Sequence, residues 1–82
     1  MKIYLISQNV NKFYDTYDSF LVCAENEDEA KDIHPGGYKI NWGDRGDSTW
    51  VNSKSDLICE EIGDAKEGIK KNEVIIASFN AG

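Results

Sequence analysis

The run Tyr14-Asp15-Thr16-Tyr17-Asp18-Ser19-Phe20-Leu21-Val22-Cys23-Ala24-Glu25-Asn26-Glu27-Asp28-Glu29-Ala30 decides the fold. Thr16 to Ala24 reads as a strand, since aromatic and β-branched residues alternate there with small and polar ones. A period of two sets Tyr17, Ser19, Leu21 and Cys23 on one face and Asp18, Phe20, Val22 and Ala24 on the other. The pattern changes at Asn26, which can cap a helix with Glu29 as the reciprocal partner three positions on. Glu27, Asp28 and Glu29 fill a first turn where the helix dipole favours negative charge. Ala30 and Ile33 supply a narrow apolar stripe. His34-Pro35-Gly36-Gly37 then ends the helix after about two to three turns.

Upstream, Ile3-Tyr4-Leu5-Ile6-Ser7 is another short β-rich run, and Asn9-Val10-Asn11-Lys12 is turn material. Two strands joined by a short polar loop form a hairpin, with the Tyr-Asp repeat at its mouth. Downstream, residues 36–56 are irregular and rich in glycine, yet 38–42 and 49–51 predict a short hairpin around a Gly-Asp loop. Residues 56–62 and 73–79 predict two further strands joined by a turn-rich connector. Val74-Ile75-Ile76-Ala77 is apolar on both faces, as a central strand would be. The expected fold is α+β: a small antiparallel sheet in the order β-β-α-β-β-β-β with one helix packed on it. Residues 1–82 make a single compact domain.

At 40% hydrophobic and 29% charged, the 82 residues belong to a globular protein rather than a disordered one. A core of this size leaves a margin of only ~5 kcal/mol, so a homo-oligomer that buries spare apolar surface is expected. The net charge of −6 argues against direct nucleic-acid binding and against an anionic membrane, because the nine basic residues are scattered. An acidic chain meets a basic protein surface, or its charge serves solubility alone. Cys23 and Cys59 lie in separate apolar runs and read as buried reduced thiols, and the N-terminus turns polar too early for a signal peptide. A cytoplasmic location follows.

Catalytic equipment is sparse. One histidine and two cysteines on separate strands assemble no zinc set, and no phosphate loop, nucleophile elbow or dinucleotide fingerprint occurs. Neither a metal nor any other cofactor is expected, and no catalytic residue is assigned. His34 stands where a helix ends, placed either by the helix dipole or to meet a ligand. Arg45-Gly46-Asp47 is an adhesion-type tripeptide of no specificity inside a turn. The aromatics say more. Trp42 and Trp50 flank the glycine-rich loop and either pack in the core or wall a planar ligand, where stacking is worth ~1–3 kcal/mol. Asn80 either makes a turn or reads a ligand edge with its amide.

Tyr4-Leu5-Ile6-Ser7-Gln8, Tyr14-Asp15-Thr16-Tyr17-Asp18-Ser19, Glu29-Ala30 with Ile33-His34-Pro35, and Ala77-Ser78-Phe79-Asn80-Ala81-Gly82 together resemble a family of small proteins encoded in bacteriophages and prophages. The resemblance runs almost end to end and is loose over residues 36–56. It implies a non-enzymatic antagonist of host defence acting in the host cytosol. One form is a sponge that sequesters a nucleotide-like signalling molecule. In it Tyr14, Tyr17, Trp42 and Trp50 stack on the ligand, Asp15 and Asp18 take its ribose hydroxyls, and Thr16 belongs to the same binding set. Arg45 or His34 faces a phosphate, and Asn80 reads an edge. The other form is an acidic protein–protein inhibitor of a host defence protein, a CRISPR or other nucleic-acid-binding complex. It presents the helix from Glu25 to Asp32 with Glu60, Glu61 and Asp64.

Overall fold

A computed structural model describes residues 1–12, 14–43 and 49–80. Strands β1 (Lys2–Ser7) and β2 (Thr16–Ala24) form the expected hairpin, pairing antiparallel from Lys2↔Ala24 to Ser7↔Ser19. The helix α1 (Glu27–Lys31) follows, and β3 (Ile58–Asp64) and β4 (Val74–Asn80) complete the sheet. All three ladders are antiparallel, in the spatial order β3-β1-β2-β4. The connector between β3 and β4 crosses one end of the sheet. There Ala65 N–H donates to Met1 O (3.0 Å) and Asn72 N–H donates to Cys23 O (2.7 Å).

Two expectations are corrected by this topology. Among the described residues β4 is an edge strand, with β2 as its one strand neighbour, so Ile75 and Ile76 are exposed rather than central. The hairpin expected over 38–42 and 49–51 is absent among the described residues. Instead the chain doubles back on the helix end through a single bridge, Ile33↔Lys39, with Gly37 at φ +97° in the turn. Trp50 and Val51 are drawn beneath the sheet, where the Trp50 ring meets Phe20 edge-on at 5.5 Å. Burying an indole outweighs the few ladder bonds such a short hairpin would add.

The capping box forms. Glu29 N–H donates to Asn26 Oδ1 at 2.9 Å, and Asn26 Nδ2 reaches Glu29 Oε2 at 3.2 Å. The helix nevertheless lasts five residues, shorter than expected. Its last turn tightens as Asp32 N–H reaches back to Glu29 O, and the chain leaves at Ile33 for the bridge.

One face of the sheet is covered. Tyr4, Ile6, Phe20, Val22 and Ala24 pack there against Ala30, Ile33, Ile40, Trp50, Val51 and Leu57. The other face is open. Across it runs the row Glu60–Leu5–Leu21–Ile76, and beside that the row Ile58–Ser7–Ser19–Ser78. Cys23 and Cys59 are free thiols, the first buried and the second half-buried. Among the described residues no helix is long and apolar enough to cross a membrane.

Candidate binding site at the hairpin mouth

β2 enters the sheet through a left-handed residue, Asp15 (φ 61°), a conformation that a short polar side chain tolerates. From there Asp15 N–H donates to Asn80 O at 2.6 Å, joining the start of β2 to the end of β4. Thr16 is buried, whereas Tyr14 is 74% exposed beside it. Asp18 is the extra residue of a β-bulge, since Tyr17 opposes Phe79 and Ser19 opposes Ser78. The bulge overturns the simple alternation expected for this strand. A one-residue slip reverses facing, so Tyr17 leaves the face of Ser19 and Leu21 and packs against the covered core.

Gln8 holds this corner. Its amide nitrogen donates to Asn11 O (2.7 Å) and Tyr17 O (2.9 Å), and its carbonyl accepts from Val10 N–H (2.9 Å) and Asn11 N–H (2.7 Å). The whole hydrogen-bonding capacity of the side chain is thereby used on backbone groups. Asn11 Nδ2 donates in turn to Trp50 O at 3.2 Å, and Tyr17 N–H donates to Thr49 O at 2.9 Å. Loop, strand and core are linked through one buried amide.

Tyr17 is the middle of an aromatic ridge. Its ring meets Phe79 at 4.7 Å and His34 at 5.7 Å, both edge-to-face, and Tyr38 lies flat on His34 at 4.4 Å and 10°. His34 itself is buried, and both ring nitrogens are engaged. Gly36 N–H donates to Nδ1 at 2.8 Å, so Nδ1 is the acceptor and Nε2 carries the proton it shares with Thr49 Oγ1 at 3.0 Å. Gly36 fits closely here: a Cβ would stand 3.0 Å from Nδ1 and 3.3 Å from the Tyr38 ring, so both rings would have to shift slightly to admit one. Tyr38 (53% exposed) and Phe79 (45% exposed) open the two ends of the ridge to solvent, with buried His34 and half-buried Tyr17 between them.

Of the residues expected to bind, Tyr14, Asp15, Thr16, Tyr17, Asp18, His34 and Asn80 do converge, from three separate segments. Trp42 is instead tethered to the helix end, its indole donating to Asp32 Oδ1 at 2.9 Å. Trp50 is a core residue and presents no ring face to a ligand; among the described residues its Nε1 has no partner. Arg45 lies outside the described residues. Sequence reasoning missed Gln8 and Phe79 as parts of this corner. The exposed Tyr38 was a visible aromatic beside a predicted loop, but its stacking on His34 depends on the turn at Gly36 and Gly37.

The acidic helix is largely answered by lysines. Lys54 contacts Asp28 (2.8 Å) and Asp32 (2.9 Å), Lys31 contacts Glu27 (3.4 Å), and Lys71 contacts Glu29 (3.2 Å). Burial pushes the Asp32 carboxyl up, but hydrogen bonds from Lys54 and Trp42 outweigh it and hold the group below its ordinary value of 3.8. The open sheet face bears a shallow apolar groove of 630 Å³ lined by Leu5, Leu21, Ile62 and Ile76 with Ser19 and Ser78. Among the described residues, no three His, Cys, Asp or Glu side chains gather as a metal ion would need. No family model, curated protein or solved structure matches this chain.

Proposed function

We propose that this chain is a non-enzymatic binding protein that seats a planar, nucleotide-like molecule on the ridge Tyr38–His34–Tyr17–Phe79. The four-ring ridge, assembled from remote segments and exposed at its Tyr38 and Phe79 ends, carries this reading. Stacking on an exposed tyrosine that is itself backed by a buried ring costs little conformational entropy. Asp15 and Asp18, both exposed at the mouth, accept from ribose hydroxyls. His34 serves as the support beneath Tyr38 rather than as a phosphate ligand, since its two nitrogens are occupied. In the phage setting that the family resemblance implies, such a protein sequesters a host signalling nucleotide in the cytosol without cleaving it.

Melting the purified protein against a panel of mono-, di- and cyclic nucleotides tests this. Ligand at a hundredfold excess over Kd adds ~2.7 kcal/mol, a rise on the order of 10 °C or more for a domain this small. The compound should be recovered unaltered after denaturation, and Tyr38→Ala should abolish the shift while leaving the unliganded melting temperature within a few degrees. A panel that gives no shift overturns the reading.

The open sheet face favours a second reading, in which a host defence protein is the partner. Antiparallel sheets covered on one side ordinarily turn polar residues to water on the other, whereas Leu5, Leu21, Ile62 and Ile76 form an apolar groove here. The face supports capture of an apolar surface better than the helix supports capture of a basic one, because the helix carboxylates already meet Lys31, Lys54 and Lys71. Ile62→Asp should then abolish capture, whereas Glu27→Lys should not.

A further inference from the structure

We infer that the ridge selects its ligand by the hydrogen-bond donors the ligand presents and leaves phosphate groups in solvent, so that a nucleoside binds more tightly than its own 5′-triphosphate. The selection presupposes the stacking site of the proposed function and adds which part of the molecule is read. A phosphate is held by cations or by backbone N–H groups still free to turn to it. The turn beneath Tyr38 spends its donors on itself. His34 N–H donates to Tyr38 O (2.7 Å), and Pro35 has no N–H to give. Gly36 N–H donates to His34 Nδ1 (2.8 Å) and Gly37 N–H to His34 O (2.8 Å). A glycine turn of the kind that elsewhere cradles an anion is closed here by its own hydrogen bonds.

The Phe79 end is spent in the same way. Gln8 N–H donates to Asp18 O, Asp15 N–H to Asn80 O and Tyr17 N–H to Thr49 O, while Val10 and Asn11 N–H both go to Gln8 Oε1. The Gln8 amide nitrogen places both of its protons on backbone carbonyls. Cations are as scarce. Residues 8–18, 34–38 and 78–80 hold one lysine, Lys12, against Asp15 and Asp18. Lys39 follows Tyr38, but it lines a small pocket with Glu29 and Asp32, and its charge helps to hold the Asp32 carboxyl down. What the corner offers is acceptors. The bond to Asn80 O fixes Asp15 beside the Phe79 end, and Asp18 bulges between the Tyr17–Phe79 and Ser19–Ser78 pairs, with both residues exposed. Such carboxylates accept from ribose hydroxyls and exocyclic amino groups and repel a phosphate, and the net charge of −6 adds to the repulsion.

Titration calorimetry of the full chain tests this with adenosine, guanosine, cytidine and uridine and with the 5′-mono- and triphosphate of each. The nucleoside that binds best should be about three- to tenfold tighter than its triphosphate at low salt, with the monophosphate between, and the gap should close as salt screens the carboxylates. Replacing both acids, Asp15→Asn with Asp18→Asn, keeps their shape and suits the left-handed backbone at position 15, and should shrink the gap at low salt. If that variant fails to fold, the salt series on the wild type decides. A triphosphate that binds as tightly as its nucleoside, or more tightly, at low salt overturns the selection and leaves the ridge a nucleotide site. So does a gap that neither salt nor the double variant changes. Binding by none of these compounds overturns the ridge itself, and the selection with it.

Discussion

Gln8 offers the most exacting test of how the binding corner is held. Its side chain is only 7% exposed and makes four hydrogen bonds, all to backbone groups of residues 10, 11 and 17. Each such bond contributes ~0.5–1.5 kcal/mol net. Val10 is exposed, so its amide finds water when Gln8 is lost, whereas Tyr17 O at the bulge and the Asn11 groups recover less. Gln8→Ala should therefore cost about 2–3 kcal/mol, and melting temperature should fall by roughly 10–20 °C. Gln8→Glu separates donors from acceptors. Its carboxylate still accepts from Val10 and Asn11 N–H but now faces the carbonyls of Asn11 and Tyr17 without a proton. It should destabilise by about 2 kcal/mol at neutral pH, with partial recovery on acidification as the acid regains one donor. Urea unfolding of both variants from acid to neutral pH measures this. If both stay within ~0.5 kcal/mol of wild type, the clamp is not what holds the corner.

Other consequences can be measured directly. The Asp32 carboxyl lies below its ordinary 3.8 in the folded chain, so the stability it lends is fully present above that pH and is lost as pH falls through the depressed value. Asp32→Asn should cost about 1 kcal/mol at pH 7, and the two unfolding curves should merge in strong acid, with Trp42 fluorescence reporting the change. Burial pushes the Cys59 thiol up to about 11, so iodoacetamide at pH 8 should label it roughly a hundredfold more slowly than a free thiol. Labelling at the free rate would mean that Cys59 is not shielded. Asp15 sits at φ 61°; Asp15→Gly should leave stability unchanged or raised, while Asp15→Val should cost about 1–2 kcal/mol in thermal unfolding.

The strands and the helix cap were legible because their signals are local. Thr16–Ala24 ends where its alternation ends, and Asn26 with Glu29 forms the cap that their spacing predicts. Convergence of the Tyr-Asp segment with His34 and Asn80 was legible only as shared chemistry, since no residue spacing sets the distance between segments so far apart. Three features resisted. The bulge at Asp18 leaves no mark in a sequence of alternating residues, yet it turns Tyr17 toward His34. The apolar run Val74–Ala77 reads as central, because hydrophobicity along a strand does not tell a position between two neighbours from one at an edge. Trp50 is equally suited to a core or to a ligand wall by composition.

Local interactions along the chain thus determined the element types, the hairpin and the capped helix of this acidic α+β domain, since turn chemistry, side-chain alternation and capping act over only a few residues. Tertiary packing decided the rest: which strands stand at the edges, which indole is buried, and which rings touch. Those outcomes are settled by competition among distant segments for one small core. The aromatic ridge and the apolar, uncharged β4 edge are what that competition left at the surface.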